Sequence, residues 1–237
     1  MFPIFRWEQL SASQAQIRVQ GTGFFVNPQG YFISVAHLFD DINQNTKFLF
    51  IGRLPNEVQN PYLEIQEIAR DDDQDIFIGK LKLEKPVKCF KLAKLIPGVG
   101  RSVCVAGYPL SQITLSPQGK LNLAGVRRYF QPSFILDRII VNSSSPIRTR
   151  THDGLLVRDA GLFGMSGGPV FDIKGNVVGV QGSVTQPRIS KNAAGRSFSV
   201  ENAVVIRSTL IVDLLKRNSI SFNVNILLSR IKFWAKR

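Results

Sequence analysis

The chain has 237 residues, 44% of them hydrophobic, and carries 30 Lys and Arg against 17 Asp and Glu for a net charge of +13. That length suits one large or two small domains, and that apolar fraction is ample for a core, which excludes a disordered or fibrous chain. Cys89 and Cys104 show no CxxC or His/Cys ligand spacing and argue against a disulfide-stapled secreted scaffold or a thiolate metal centre. In chain order, residues 1–20 open on aromatics but lack a basic stretch ahead of an apolar leader core, so no secretory signal is read there. No apolar run approaches the roughly 18 residues of a membrane span, and the expected compartment is the cytoplasm. Gly21-Thr22-Gly23-Phe24-Phe25-Val26 reads as a strand, Asn27-Pro28-Gln29-Gly30 as a turn, and Tyr31-Phe32-Ile33-Ser34-Val35-Ala36-His37 as a return strand ending on a histidine. Further β-rich runs cover residues 47–53, 62–69 and 76–83, with Asp75 at the head of the last, just after Asp71-Asp72-Asp73. Ile96-Pro97-Gly98-Val99-Gly100 is a natural linker. Beyond it come β-rich runs at 103–107, 139–141, 155–157, 177–182 and 203–206, and then a helix over 208–217. Many short strands with turn signals between them, without repeats or low-complexity segments, predict an all-β barrel or sandwich architecture.

Gly164-Met165-Ser166-Gly167-Gly168-Pro169 is the stretch that carries chemistry. The glycines permit a tight turn and close substrate approach. Such a turn aims the N–H groups of Gly164 and Ser166 at one point, where a developing oxyanion would be held. A serine hydroxyl needs a base, and the chain has only two histidines, His37 and His152. His37 ends a strand after a small residue. His152 lies in the polar Arg148-Thr149-Arg150-Thr151-His152-Asp153-Gly154, read as a surface loop. The base in turn needs an acid, and Asp75 directly precedes an apolar strand.

With Ala36-His37, Asp75-Ile76-Phe77-Ile78 and Gly164-Met165-Ser166-Gly167-Gly168-Pro169 in the order His, Asp, Ser, the chain resembles the chymotrypsin-fold (trypsin-like) serine peptidases. Gly21-Thr22-Gly23-Phe24-Phe25-Val26, Ala106-Gly107-Tyr108-Pro109 and Arg158-Asp159-Ala160 lean toward the bacterial HtrA-type branch, without the PDZ domain of those relatives. The resemblance spans roughly residues 17 to 217. It implies two six-stranded antiparallel β-barrels with a C-terminal helix. Barrel one would cover about 10–97, barrel two about 98–205 and the closing helix about 208–217 of a peptidase domain at 1–222, followed by a tail at 223–237. It further implies Ser166 as nucleophile, His37 as general base and acid, Asp75 as its orienting carboxylate, and the Gly164 and Ser166 amides as the oxyanion hole, with no metal or cofactor.

Where digestive-type relatives carry an Asp before the nucleophile, this chain has Met165, so an ion pair with a cleaved N-terminus is not expected and Met165 is read as an apolar filler. Counting back as the family's pocket is counted gives a substrate pocket of Ala160, Gly161 and Leu162, with walls at Gly182 and Val184. Asp159 is read as structural in its loop, with reach into the pocket as the alternative. No charge at the pocket floor implies cleavage of a protein or peptide substrate after an apolar residue of small to medium size. Loop ordering or a regulatory partner would control activity.

The positive charge suits acidic partners, nucleic acid or anionic membrane, or simply a solvated face. No nucleic-acid motif accompanies it, and aromatics do not interleave with the lysines at 80–94. In the tail, Val224, Leu227-Leu228, Ile231 and Trp234-Ala235 fall on one side of a basic helix, which would pack on its own barrel or dock on a membrane or partner groove. Cys104 alternates with Val103 and Val105 and is read as buried core.

Overall fold

The structure is a computed structural model that describes residues 1–11, 14–40, 46–51, 62–109, 114–115, 121–122, 126–144, 149–158, 161–185 and 202–225. The strands in the N-terminal half are β1 (Phe2–Ser11), β2 (Gln14–Phe25), β3 (Tyr31–Ser34), β4 (Thr46–Ile51), β5 (Tyr62–Glu64), β6 (Gln66–Asp71) and β7 (Ile76–Lys80). They form one antiparallel sheet in the order β5-β4-β1-β2-β3-β7-β6. After β8 (Leu92–Ala93) come β9 (Ser102–Gly107), β10 (Thr114–Leu115), β11 (Leu121–Asn122), β12 (Tyr129–Ser144), β13 (Thr149–Arg158), β14 (Pro169–Asp172), β15 (Val177–Thr185) and β16 (Asn202–Arg207). Helix α1 (Ser208–Arg217) and β17 (Val224–Asn225) follow. In the second sheet β14-β9-β12-β13-β16-β15 run in order, and β14 pairs again with β15, so these strands close a six-stranded barrel. The short β8 lies parallel to both β15 and β17.

The strands follow from side-chain chemistry. Val, Ile and Phe dominate β3, β7, β15 and β16, where branched and aromatic side chains suit a pleated surface. The inner strands β7 and β16 are buried on both faces along most of their length, so they read as continuous apolar runs, not as alternations. Phe2, Phe24, Phe32 and Phe77 are among the largest fully buried side chains. The Phe2 ring lies 4.8 Å from Phe25 and 5.0 Å from Phe32. Each such burial contributes about 1.5–3 kcal/mol before chain entropy is charged against it. One hydrophobic cluster runs from these phenylalanines through Leu92, Val177, Val180 and Ile206 to Ile211, Leu214 and Leu215 of α1, so it joins both halves. A second fills the closed barrel with Val103, Val105, Leu155, Val157, Met165 and Val170.

Several expectations are met. The helix has the bounds 208–217, with Lys216 and Arg217 in its last turn, where cations favour the helix dipole. Met165 is fully buried as an apolar filler. Other expectations change. The first sheet begins at Phe2, ahead of residue 10, because β1 zips between β2 and β4. Leu92 and Ala93 join the second sheet, not the first. The segment around His152 is strand, not loop: His152 pairs with Val141 in the long β12–β13 ribbon, whose polar sequence masked its extended character. Cys104 is half-buried, because Val103 and Val105 take the inward face and strand alternation turns Cys104 the other way. Val224, assigned to an amphipathic helix, is in β17 beside Leu92, and the rest of that tail lies outside the described residues. Among the described residues, no helix is long and apolar enough to cross a membrane.

Candidate active site

His37 sits on a single 3-10 turn, Ala36–Phe39, that leaves β3. The turn buries Ala36, Leu38 and Phe39 and leaves the His37 ring 31% exposed. Phe39 stacks on Phe77 of β7 with ring centroids 3.7 Å apart and planes 12° from parallel. That contact fixes the histidine turn against the strand whose first residue follows Asp75.

Asp75 has φ +56°, a left-handed conformation uncommon outside glycine but tolerated by Asp and Asn. The conformation has a consequence on three atoms. Asp75 O accepts the Ala36 N–H at 3.2 Å, Oδ1 accepts the His37 N–H at 2.8 Å, and Oδ2 lies 2.7 Å from His37 Nδ1. The carboxylate side chain is only 6% exposed. An ionised carboxylate can only accept, so Nδ1 carries a proton, and in the neutral ring Nε2 is then the free base. Arg70 of β6 braces the same corner. It bonds Asp40 at 2.8 Å through Nη2 and Asp72 at 2.7 Å through Nε, and reaches Ala36 O at 3.5 Å. Burial alone would lower the Arg70 pKa, but the hydrogen bonds it donates to Asp40 and Asp72, with the negative charges of Asp72 and Glu67, outweigh burial and raise it above its usual value. The guanidinium therefore stays charged between the turn that carries His37 and the turn that carries Asp75.

Ser166 lies on the loop entering β14. Gly164 has φ +95° and Gly167 φ +82°, conformations that L side chains rarely adopt. The Met165 N–H bonds Leu162 O at 2.9 Å, the Gly167 N–H bonds Gln181 O at 2.7 Å and the Gly168 N–H bonds Met165 O at 2.8 Å. The Gly164 and Ser166 N–H groups donate to no acceptor among the described residues, as two oxyanion donors must.

The two halves meet at this loop. The Thr22 N–H donates to Ser166 O at 2.8 Å, and Thr22 Oγ1 donates to Gly164 O at 2.8 Å while accepting the Tyr108 N–H at 3.0 Å. A Cβ on Gly21 would lie 2.3 Å from Leu38 Cδ1 and 2.6 Å from Ser166 O. Gly21 is thus wedged between the residue after His37 and the Ser166 backbone, and this close approach brings the histidine turn and the serine loop together. His37 Nε2 makes no hydrogen bond to Ser166 Oγ among the described residues; such bonds are often long in free sites and tighten when a substrate binds. Thr22 is the residue sequence reading missed. The available signal was Gly21-Thr22-Gly23, a hydroxyl flanked by two glycines that both turn out to sit at close approaches.

Of the pocket residues, Gly161 and Leu162 border the serine loop, Gly182 is buried on β15 and Val184 is 39% exposed past a bulge in that strand. Ala160 and Asp159 lie outside the described residues. Gln181, not foreseen, fills the space beside Gly161. No group of three or more His, Cys, Asp or Glu is arranged to hold a metal ion among the described residues.

Three comparisons bear on this geometry. Residues 21–180 match the family model of the trypsin-like peptidase domain. The uncharacterized protein y4bJ of Sinorhizobium fredii (strain NBRC 101917 / NGR234) is 27% identical over 160 residues, covering 68% of this chain; the chain spans only 21% of that relative's length. Among solved structures, the Rv3671c protease of M. tuberculosis in its active form superposes with a TM-score of 0.61 at 18% identity, over 94% of this chain and 83% of that one. The HtrA-type protease AlgW with a decapeptide superposes with a TM-score of 0.59 at 16% identity, over 90% of this chain and 55% of that one. The first sheet, the closed barrel of the second and the serine loop that meets both match this architecture, and the family model covers well over half of the chain: the chain belongs to the trypsin-like peptidase family.

Proposed function

We propose that the chain hydrolyses peptide bonds through Ser166, His37 and Asp75 by way of an acyl-enzyme. The observation that carries this reading is the pair of bonds that the Asp75 carboxylate accepts from the His37 backbone N–H and Nδ1, at 2.8 and 2.7 Å, on a turn that Gly21 holds against Ser166. Ser166 Oγ attacks the carbonyl carbon of the scissile bond and its proton passes to His37 Nε2. The carbonyl oxygen becomes an oxyanion held by the Gly164 and Ser166 N–H groups. Collapse breaks the C–N bond, and the imidazolium returns its proton to the leaving amine. Water then attacks the ester with the same base, releasing the acid and restoring the serine. Asp75 stays ionised and stabilises the imidazolium.

The Gly161 and Gly182 positions suit a residue of small to medium, uncharged side chain before the cut. The test is labelling with a fluorophosphonate probe beside peptide hydrolysis. Wild-type protein labels and Ser166→Ala does not, and Ser166→Ala lowers kcat by about a million-fold if the three residues act as a unit. A fall under about tenfold overturns the reading.

A further inference from the structure

Gln181 is 1% exposed, and its Oε1 is buried without a hydrogen-bond partner among the described residues. A buried amide oxygen left unpaired costs about 1–3 kcal/mol, so each such atom in a folded protein calls for a reason. The position of this one supplies it. The Gln181 backbone is tied to the serine loop twice, accepting the Gly167 N–H at 2.7 Å and donating to Gly168 O at 2.9 Å. Its side chain turns toward Gly161, where an added Cβ would lie 1.6 Å from Nε2. The amide therefore lies against the backbone that leads into the loop, with Ser166 next to the residue its own carbonyl holds. The bulge between Gln181 and Val184 frees this stretch of β15 from strict pairing with β16.

We infer that the Gln181 side-chain amide forms the floor of the substrate pocket beside Ser166 and selects a short side chain bearing a hydrogen-bond donor at the residue before the scissile bond. This inference rests on the peptidase reading above and refines its specificity. Gln181 fills depth that a long side chain would need, which keeps the pocket short. Its acceptor oxygen is satisfied by the hydroxyl of Ser or Thr or the amide of Asn. It stays unpaired against Ala, Val or Leu of similar size, and a site with a buried polar group rejects an isostere that leaves that group unpaired. The uncharged, small to medium pocket expected from the sequence is kept; its apolar character is replaced by a polar floor.

The experiment is digestion of a randomised peptide library by the full chain, followed by kcat/KM on matched peptides that differ only by Thr or Val before the cut. Wild type prefers Thr over Val by about tenfold, the value of one hydrogen bond near the upper end of the usual range. Gln181→Met keeps the length and removes the amide, and it brings the ratio to one or reverses it. Fluorophosphonate labelling of each variant confirms that the serine remains active. Equal cleavage after Thr and Val by wild type overturns the inference without any variant. So does an unchanged ratio in Gln181→Met, or a labelling enzyme that never cuts after Ser, Thr or Asn; in these cases the peptidase reading stands. If wild type neither labels nor cleaves, that reading falls and this one with it.

Discussion

Asp75 concentrates three hydrogen-bond acceptances into one left-handed residue, and a test of its role can keep that backbone intact. Asn also tolerates a positive φ, so Asp75→Asn should fold with little loss of stability. It reverses the requirement on His37 Nδ1, since an amide N–H cannot accept from it, and kcat is expected to fall by about 10⁴ while the melting temperature stays near wild type. Loss of folding together with activity would show Asp75 to be a structural residue instead. Thr22 belongs to the same scale. Its single hydroxyl bridges Gly164 O and the Tyr108 N–H in a fully buried place. Thr22→Val preserves shape but removes the hydroxyl that donates to Gly164 O, and leaving that buried carbonyl without it costs about 1–3 kcal/mol. Urea unfolding should show a loss in that range, with Thr22→Ser close to wild type; an unchanged midpoint for Thr22→Val would refute the bridge.

Among the elements, the 3-10 turn and the β6–β7 connection are held in register by Arg70 and by the Phe39–Phe77 stack. Arg70 touches no reacting group in the proposed chemistry, so it acts through the turn that carries His37. Arg70→Met is expected to lower kcat about 10–100-fold, as a small misplacement of a catalytic group does, with KM little changed. Equal kcat in the two proteins would remove Arg70 from the positioning network. The strands themselves were legible as β-rich runs because Val, Ile and Phe cluster in them. Pairing was not. The polar β13 ribbon around His152 carries too little apolar alternation to be recognised, and β1 owes its existence to neighbours on both sides. Helix α1 was legible end to end because its apolar spacing and terminal Lys216-Arg217 are local properties.

At the scale of the whole molecule, one hydrophobic cluster runs from Phe2 through Val177 and Ile206 into α1. The two sheets therefore share a core as well as the Thr22 bridge, and neither half buries its apolar surface alone. Calorimetry should show a single transition with equal calorimetric and van't Hoff enthalpies. Two resolved transitions would mean that the halves unfold independently.

The sequence by itself determined the chemistry available: a serine between helix-incompatible glycines, a histidine after a small residue and an acid before an apolar strand, in an order that belongs to one fold. These are local patterns, readable because backbone sterics and side-chain chemistry act over a few residues. Only the tertiary structure decided what those residues meet. Asp75 and His37 are 2.7 Å apart across 38 positions, Thr22 reaches Gly164 across 142, and Gln181 turns its amide to Gly161. Such contacts depend on strand register and on how two sheets close over a common core, and no window of sequence contains that information.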